Sequence, residues 1–211
     1  MKLTIHIMLL TLCTAQVVNG QVDPVATNIL DKFSQKALSA PAVTMEFELN
    51  IVDEVEKSST SSDGKLVIKD NMYKLELPDN IIWFDGSAVW TLAPEVEEVT
   101  INEPDTTNTS FISSPDQLFK LYRNGYKQRL LEETGRGSVI DLYPDEIDAD
   151  FIRIRLLING SYDLLEAEYK SKDGYIVFVK INNYDLRSRY DNAFFLFDRN
   201  KYPNVDIIDM R

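Results

Sequence analysis

Residues 85–94 read Asp85-Gly86-Ser87-Ala88-Val89-Trp90-Thr91-Leu92-Ala93-Pro94, in the middle of a run of amphipathic strands between Gly64 and Ile101. Gly86 supplies the positive φ that a tight hairpin turn needs, because apolar runs end just before this turn and resume just after it. The two runs place both tryptophans, Trp83 and Trp90, on one sheet. The sequence therefore predicts an antiparallel sheet that is rich in aliphatic and aromatic side chains.

Residues 44–51 alternate strictly between apolar and polar, and further short apolar or alternating runs bounded by turn residues bring the predicted total to about eleven antiparallel strands. Amphipathic helices are predicted at 24–39 and 115–124, the second with an N-cap at Ser114 and a capping box. Residues 54–63 are rich in Ser and charge and predict a hairpin loop. The predicted strands are 44–51, 64–68, 72–77, 81–84, 88–92, 98–101, 126–132, 138–143, 151–158, 164–170, 175–184 and 193–197.

The first twenty residues have the layout of a signal peptide, with Lys2 before an apolar stretch and small residues before Gln21. We predict cleavage near Gly20, export to the periplasm, and one domain over residues 21–211. An alternative interpretation makes Cys13 a lipidated N-terminal cysteine, although the bulky Leu12 stands where a small residue is preferred.

Cleavage would remove the one cysteine and the one histidine of the chain, Cys13 and His6. The remaining chain would then lack disulfides, Cys or His nucleophiles, and the usual zinc and haem ligands. We therefore predict a protein that is not an enzyme and that has no cofactor and no metal. The net charge of −12 argues against nucleic acid as a partner.

Several segments together resemble the outer-membrane lipoprotein carrier family, LolA, and identify the chain as a divergent relative of it. They are the helix followed by an alternating strand, Gly64-Lys65-Leu66-Val67-Ile68-Lys69, the segment from Asp85 through Trp90, Leu92 and Pro94 to Glu98-Val99, and the closing stretch from Phe197 through Tyr202-Pro203 to Asp209. The resemblance implies a mainly β fold of the α+β type, an incomplete antiparallel β-barrel of about eleven strands with a helical lid.

The resemblance also implies a monomeric periplasmic carrier that shuttles the acyl chains of lipoproteins from the inner to the outer membrane. Its partners would be acylated lipoproteins or lipids as cargo, an inner-membrane lipoprotein-releasing transporter and an outer-membrane acceptor. A sixteen-carbon chain left in water costs about 12 kcal/mol at ~0.8 kcal/mol per methylene, so a carrier must hide it completely. The candidate residues of the apolar cavity are Met45, Phe47, Leu49, Leu66, Ile68, Met72, Leu75, Trp83 and Trp90.

One departure from the family concerns a functional arginine that ties the barrel to its lid after a Lys-Arg-Pro-like turn. The corresponding residues here are Lys69-Asp70-Asn71-Met72-Tyr73-Lys74, with neither arginine nor proline. The latch of the family therefore does not carry over. Alternation along the strands also leaves open whether the apolar face encloses a hollow or a filled core.

Two other functions remain open at this stage. The same fold could serve as a periplasmic module that senses lipids or lipoproteins, and a carboxylate-based hydrolase would need an acid and base pair in a cleft. Asp145, Glu146, Asp148 and Asp150 could form a calcium loop but are typical of a solvated acidic loop. Arg187, Arg189 and Tyr190 could meet a partner or be ordinary surface residues, and Asn108 and Asn159 lie in glycosylation sequons.

Overall fold

The computed structural model describes residues 23–104 and 114–211. The predicted signal peptide with Cys13 and His6, and the sequon at Asn108, lie outside these residues. The described elements comprise one α-helix and twelve β-strands. The helix is α1, Pro24–Leu38, and the strands are β1 Val43–Asp53, β2 Ser58–Lys69, β3 Met72–Glu76, β4 Ile81–Phe84, β5 Val89–Ala93, β6 Glu98–Asn102, β7 Tyr126–Glu133, β8 Ser138–Pro144, β9 Phe151–Ile158, β10 Leu164–Ser171, β11 Tyr175–Asp185 and β12 Asp206–Asp209.

All twelve strands belong to one sheet in the order β12-β6-β5-β4-β3-β2-β1-β11-β10-β9-β8-β7. Neighbours pair antiparallel throughout, except that β12 pairs parallel with β6. Among these described strands, the first and the last of the order do not pair with each other, so the sheet is not closed. The predicted incomplete antiparallel barrel with a helical lid is confirmed, with twelve strands rather than about eleven.

Part of the sheet is apolar on both faces, and a different segment of the chain covers each of these apolar faces. On one face, called here the α1 face, the strands pack against Leu30 and Phe33 of α1 in the main core cluster. Strands alternate their side chains between faces, so Val67 and Trp83, which are next in sequence to Leu66 and Ile82 of the α1 face, lie on the opposite face. There Phe195 and Val205 of the C-terminal segment cover β2 to β6.

The segment 54–63 forms a longer hairpin than predicted, since the turn occupies only 54–57 and β2 already begins at Ser58. Ser58 to Asp63 pair residue by residue with Asp53 to Glu48 of β1. These β2 residues are mostly exposed on both faces. The loop prediction was wrong because their polarity on both faces hides the alternation that normally marks a strand, while Ser and Thr side chains leave backbone pairing intact.

The predicted second helix is also different, because two short 3₁₀ turns at Pro115–Gln117 and Leu121–Arg123 stand in its place. Backbone bonds run three residues back, as in Lys120 N to Gln117 O at 2.8 Å. No side chain caps the first turn at Ser114, so the predicted capping box does not form. A ten-residue segment is too short for a stable α-helix of its own, and tertiary contacts then decide its geometry.

The predicted strand at 193–197 is wrong as well, since Asn192–Phe195 form a 3₁₀ helix. Its rings pack against one another, with Phe194 and Phe195 centroids 5.2 Å apart and Tyr190 4.6 Å from Phe194. A short continuous apolar run fits a buried strand and a buried helical turn equally well, so periodicity alone could not separate them.

Candidate functional site

The candidate site is the apolar space between α1 and the sheet. Ala26, Ile29, Leu30, Phe33 and Ala37 repeat at helical spacing and are buried against the strands. The Phe33 ring packs against Phe119 of the 115–123 segment with centroids 5.3 Å apart. The helix and this segment together therefore cover the α1 face as a lid.

Six of the nine predicted cavity residues lie on the α1 face, where β1 contributes three, β2 contributes two and β3 contributes one. All six are at most 5% exposed. The structure therefore brings these six together under the lid. They are Met45, Phe47, Leu49, Leu66, Ile68 and Leu75.

The remaining three predicted residues, Met72, Trp83 and Trp90, lie on the opposite face. Met72 packs with Val67 and Phe195. Trp83 pairs with Trp90 across β4 and β5, and the Trp90 ring stacks on Phe197 at 5.5 Å. The C-terminal segment covers all three, so the structure does not join them to the six residues under α1.

Sequence reasoning missed the residues of β4 that do face α1, namely Ile82 and Phe84, which pack on the main cluster. Leu75 pairs directly with Ile82 in the antiparallel register of β3 and β4. A hairpin register that pairs Glu76 with Ile81 also pairs Leu75 with Ile82. Because directly opposed residues share a face, this register places Ile82 on the α1 face. Trp83 follows Ile82 in β4 and therefore lies on the opposite face.

Polar contacts along one side of α1 attach the helix to the 115–123 segment and to β7. The Tyr122 hydroxyl donates to Asp31 Oδ1 at 2.6 Å, and Arg123 Nη2 donates to Ser34 Oγ at 3.2 Å. Thr27 Oγ1 donates to Gln128 Oε1 at 2.8 Å. Burial, followed by the bond to Asp31, raises the pKa of Tyr122, which therefore remains a neutral donor.

The other side of α1 is attached to the turn between β9 and β10. Lys36 forms an ion pair with Asp163 and donates to Ser161 O at 2.7 Å. Lys32 Nζ donates to the Tyr162 hydroxyl at 3.1 Å. Both lysines lie on one side of the helix because they are four residues apart. A set of polar bonds at the two edges of α1 thus holds the helix in place, with Arg123 on one edge and Lys32 and Lys36 on the other as its cations.

Lys69 is the first residue of the 69–74 stretch, and it makes its hydrogen bonds away from α1 and the 115–123 segment. Its Nζ donates to Tyr190 O at 2.9 Å and to Asn192 Oδ1 at 2.7 Å. Lys69 therefore ties β2 to the C-terminal segment, and the bonds at the edges of α1 hold the lid. The Tyr190 hydroxyl also contacts Thr44 Oγ1 at 3.1 Å, so Tyr190 is not an ordinary surface residue.

A cavity of about 230 Å³ opens beside the C-terminal end of α1. Val43, Ile68 and Phe119 of the main cluster contribute to its wall, so it adjoins the covered apolar space. Lys69, Asp70 and Lys120 also line it. Sites for drug-sized ligands typically enclose about 300–1,000 Å³, so this cavity alone is too small for a long acyl chain.

The carboxylates of the described ranges do not assemble a metal centre. No three His, Cys, Asp or Glu side chains within 23–104 and 114–211 group closely enough to hold a metal ion. Asp141 is the one buried carboxylate in these two ranges, and it accepts two hydrogen bonds from Arg155 at 2.6 and 2.8 Å. Asp141 and Arg155 therefore form a structural ion pair on the opposite face of the sheet.

No helix within residues 23–104 or 114–211 combines the length and the apolar character needed to cross a membrane.

No family model matches this sequence, and no curated protein matches it either. Solved structures do match. An uncharacterized conserved protein from Thermus thermophilus is 12% identical, with a TM-score of 0.57, over 88% of this chain and 99% of its own. The LolA superfamily protein NE2245 from Nitrosomonas europaea is 13% identical, with a TM-score of 0.46, over 82% and 98%. The lipoprotein LppX from Mycobacterium tuberculosis is 11% identical, with a TM-score of 0.42, over 80% and 100%.

Proposed function

We propose that this chain is a periplasmic carrier that binds the acyl chains of lipids or lipoproteins between α1 and the sheet. It has the fold of a divergent LolA-like protein, in which the described residues form a twelve-stranded unclosed sheet under one α-helix. In this proposal residues 1–20 direct export and are removed. The transporter that loads the carrier and the acceptor that unloads it are those that the sequence resemblance implies.

The observation that carries the proposal is that α1 makes apolar contacts on its inward surface and polar contacts along its edges. Its inward surface is apolar and covers an apolar sheet face, whereas its edges are held by polar bonds to Tyr122, Arg123, Gln128 and the 159–163 turn. An acyl chain can replace the apolar surface of α1 on the sheet, because burial of apolar area has no directional requirement. The polar bonds can exchange with water when the lid moves.

The size of the open cavity makes lid movement a requirement of this proposal. About 230 Å³ beside Phe119 and Ile68 can admit the end of a chain. A whole chain needs the volume that Phe33 and Leu30 occupy in the closed arrangement. Carriers of this kind have no catalytic group to supply, and their specificity comes from the shape and polarity of the opened space.

The first experiment tests whether lid movement is needed for uptake. Lys36→Cys/Asp163→Cys would be joined by a short bis-maleimide, since residues 21–211 contain no other cysteine. The protein would be purified from the periplasm without detergent, and native mass spectrometry would follow the uptake of a dipalmitoylated lipopeptide. We expect stoichiometric uptake by the unlinked protein and at least about tenfold less by the linked protein.

The matched control is the pair Arg136→Cys/Glu166→Cys, joined in the same way. This ion pair, 2.6 Å in the structure, lies on the β7–β8 turn and β10, away from α1. Linking it should leave uptake unchanged. A protein that takes up no lipopeptide in any form would overturn the carrier proposal, and equal uptake by all forms would overturn the role of α1 as the moving lid.

A further inference from the structure

Tyr169 has a buried hydroxyl that the packing of the lid on the sheet does not explain. The residue lies on the α1 face of β10, pairs with Ile154 and Val177 on either side, and is 5% exposed. Among the residues that the structure describes, its Oη has no hydrogen-bond partner. The hydroxyl is thus an unsatisfied polar group in a mainly apolar region, with the Tyr126 phenol nearby.

The surroundings of Tyr169 contain no charged group along its row of the sheet. Ile51, Val177, Tyr169, Ile154 and Leu142 follow one another across five strands. Tyr126 and Phe151 stack at 6.0 Å and pack against the same cluster. Burial raises the pKa of the Tyr169 phenol, so its Oη carries a proton and can donate it in a hydrogen bond.

A phenylalanine would fill this site equally well without leaving a polar atom unpaired. Buried polar groups in folded proteins are paired with few exceptions, and an unpaired hydroxyl lowers stability. A hydroxyl at this site therefore points to an acceptor that arrives with a ligand. The acceptor must be uncharged, because an ionised carboxylate with no cation nearby would be strongly disfavoured here.

We propose that Tyr169 Oη donates a hydrogen bond to the carbonyl oxygen of an acyl ester or acyl amide bound on the α1 face. This inference rests on the proposed function and specifies its ligand class. The ligand is an acylated molecule whose chain lies along the apolar row and whose carbonyl reaches Tyr169, in preference to a plain hydrocarbon or an ionised fatty acid.

The test compares the protein with its Tyr169→Phe variant, using methyl palmitate and heptadecane as ligands that displace bound N-phenyl-1-naphthylamine. We expect Tyr169→Phe to weaken methyl palmitate binding about 3- to 10-fold, the range of one hydrogen bond, and to leave heptadecane binding unchanged. The carbonyl ¹³C resonance of labelled methyl palmitate should also move upfield in the variant, because the hydrogen bond is lost.

Tyr143→Phe is the matched control. Its hydroxyl donates to Asp141 Oδ2 at 2.9 Å on the opposite face, so its removal breaks a bond within the protein. We expect Tyr143→Phe to lower the urea midpoint of unfolding without changing ester binding. Tyr169→Phe should leave that midpoint unchanged or raise it, because no bond within the protein is lost.

The outcomes separate the two proposals. If the unmodified protein binds neither ligand, the carrier function and the role of Tyr169 both fail. If it binds both ligands and Tyr169→Phe changes neither affinity, or changes both equally, only the role of Tyr169 is overturned. A lower urea midpoint for Tyr169→Phe would also overturn that role, since it would show that the hydroxyl has a partner within the protein.

Discussion

Phe47 lies across Gly64 on the neighbouring strand, and this pair shows how closely the α1 face is packed. The two residues are directly opposed in the register of β1 and β2. A Cβ atom at position 64 would overlap Phe47 Cζ and would lie 2.6 Å from Phe47 Cε2 and 3.0 Å from Leu77 Cδ2. The ring therefore occupies the space that any side chain at position 64 would need, as aromatic residues often do over a glycine in a sheet.

We predict that Gly64→Ala lowers the free energy of unfolding by about 1–3 kcal/mol, the usual cost of overpacking a core. Phe47→Leu alone should also destabilise the protein, because it removes buried ring atoms. The double variant should be more stable than the sum of the single effects predicts, by about 1 kcal/mol, since a leucine in place of the ring leaves room for the new methyl group. Urea unfolding of the four proteins measures this coupling, and strictly additive effects would contradict it.

Residue types and alternation were enough to predict six of the residues under the lid, including Met45 and Leu66. They were not enough for Trp83 and Trp90, because the face of a short strand depends on register, and register depends on the turn before it. The burial of both tryptophans by Phe197 is a contact between distant parts of the chain. Tyr169 shows no sequence signal, since its unpaired hydroxyl is visible only when its neighbours are known.

At the scale of elements, the N-terminus of α1 has two attachments through one side chain. Asp23 Oδ1 accepts hydrogen bonds from Val25 N and Ala26 N at 3.0 and 3.1 Å and so caps the helix. Asp23 Oδ2 accepts from Leu130 N of edge strand β7 at 2.9 Å. These bonds, that of Leu130 first, lower the pKa of the Asp23 carboxyl group.

We predict that Asp23→Ala lowers the free energy of unfolding by about 1–2 kcal/mol, since both the cap and the tie to β7 are lost. Asp23→Asn should have about half that effect, because one amide oxygen can replace only one of the two carboxylate oxygens. The measurement is thermal or urea unfolding at pH 7. Equal stability of Asp23→Ala and the unmodified protein would show that the helix end frays in the native state.

The same residue gives a pH dependence whose sign follows from its lowered pKa. A carboxyl group with a lower pKa in the folded state stabilises the protein above its unfolded pKa of about 3.9, and this contribution is lost as the pH falls through the folded pKa. The stability difference between the unmodified protein and Asp23→Asn should therefore shrink below about pH 4. If the stability difference between the two proteins persisted at about pH 2, the carboxylate charge would have no part in the cap.

Most elements were predictable because their periodicity is long and clear, as in α1 and β11. The segments that differed were short, or, like residues 58–63, were polar on both faces. Leu121 and Tyr122 adopt 3₁₀ geometry where Tyr122 bonds to Asp31 of α1, and Phe194 and Phe195 form a turn that packs their rings against Tyr190. Local propensity is weak in such segments, and packing against distant residues decides their structure.

At the scale of the whole molecule, the sheet and its lid differ in how they are held. β1 lies at the centre of the strand order and pairs over most of its length with β2 and β11. α1 belongs to the apolar core, but its edges depend on side-chain bonds from Arg123 and Lys36. Elements of this kind can open while the rest of the structure stays folded.

We therefore predict that Lys36→Ala/Arg123→Ala speeds amide hydrogen exchange in α1 about 5- to 30-fold and leaves exchange in β1 and β11 almost unchanged. Each exposed ion pair or hydrogen bond contributes about 0.5–1 kcal/mol, so the two losses lower the free energy of lid opening by about 1–2 kcal/mol. Arg136→Ala is the control, because it removes an ion pair with Glu166 that does not involve α1.

If the double variant speeds exchange equally in α1 and in β1, then lid and sheet open as one unit, and a carrier with this fold would have to unfold in order to load. Faster exchange confined to α1, together with faster uptake of lipopeptide by the same variant, would mean that the polar bonds at the lid edges set the rate of loading.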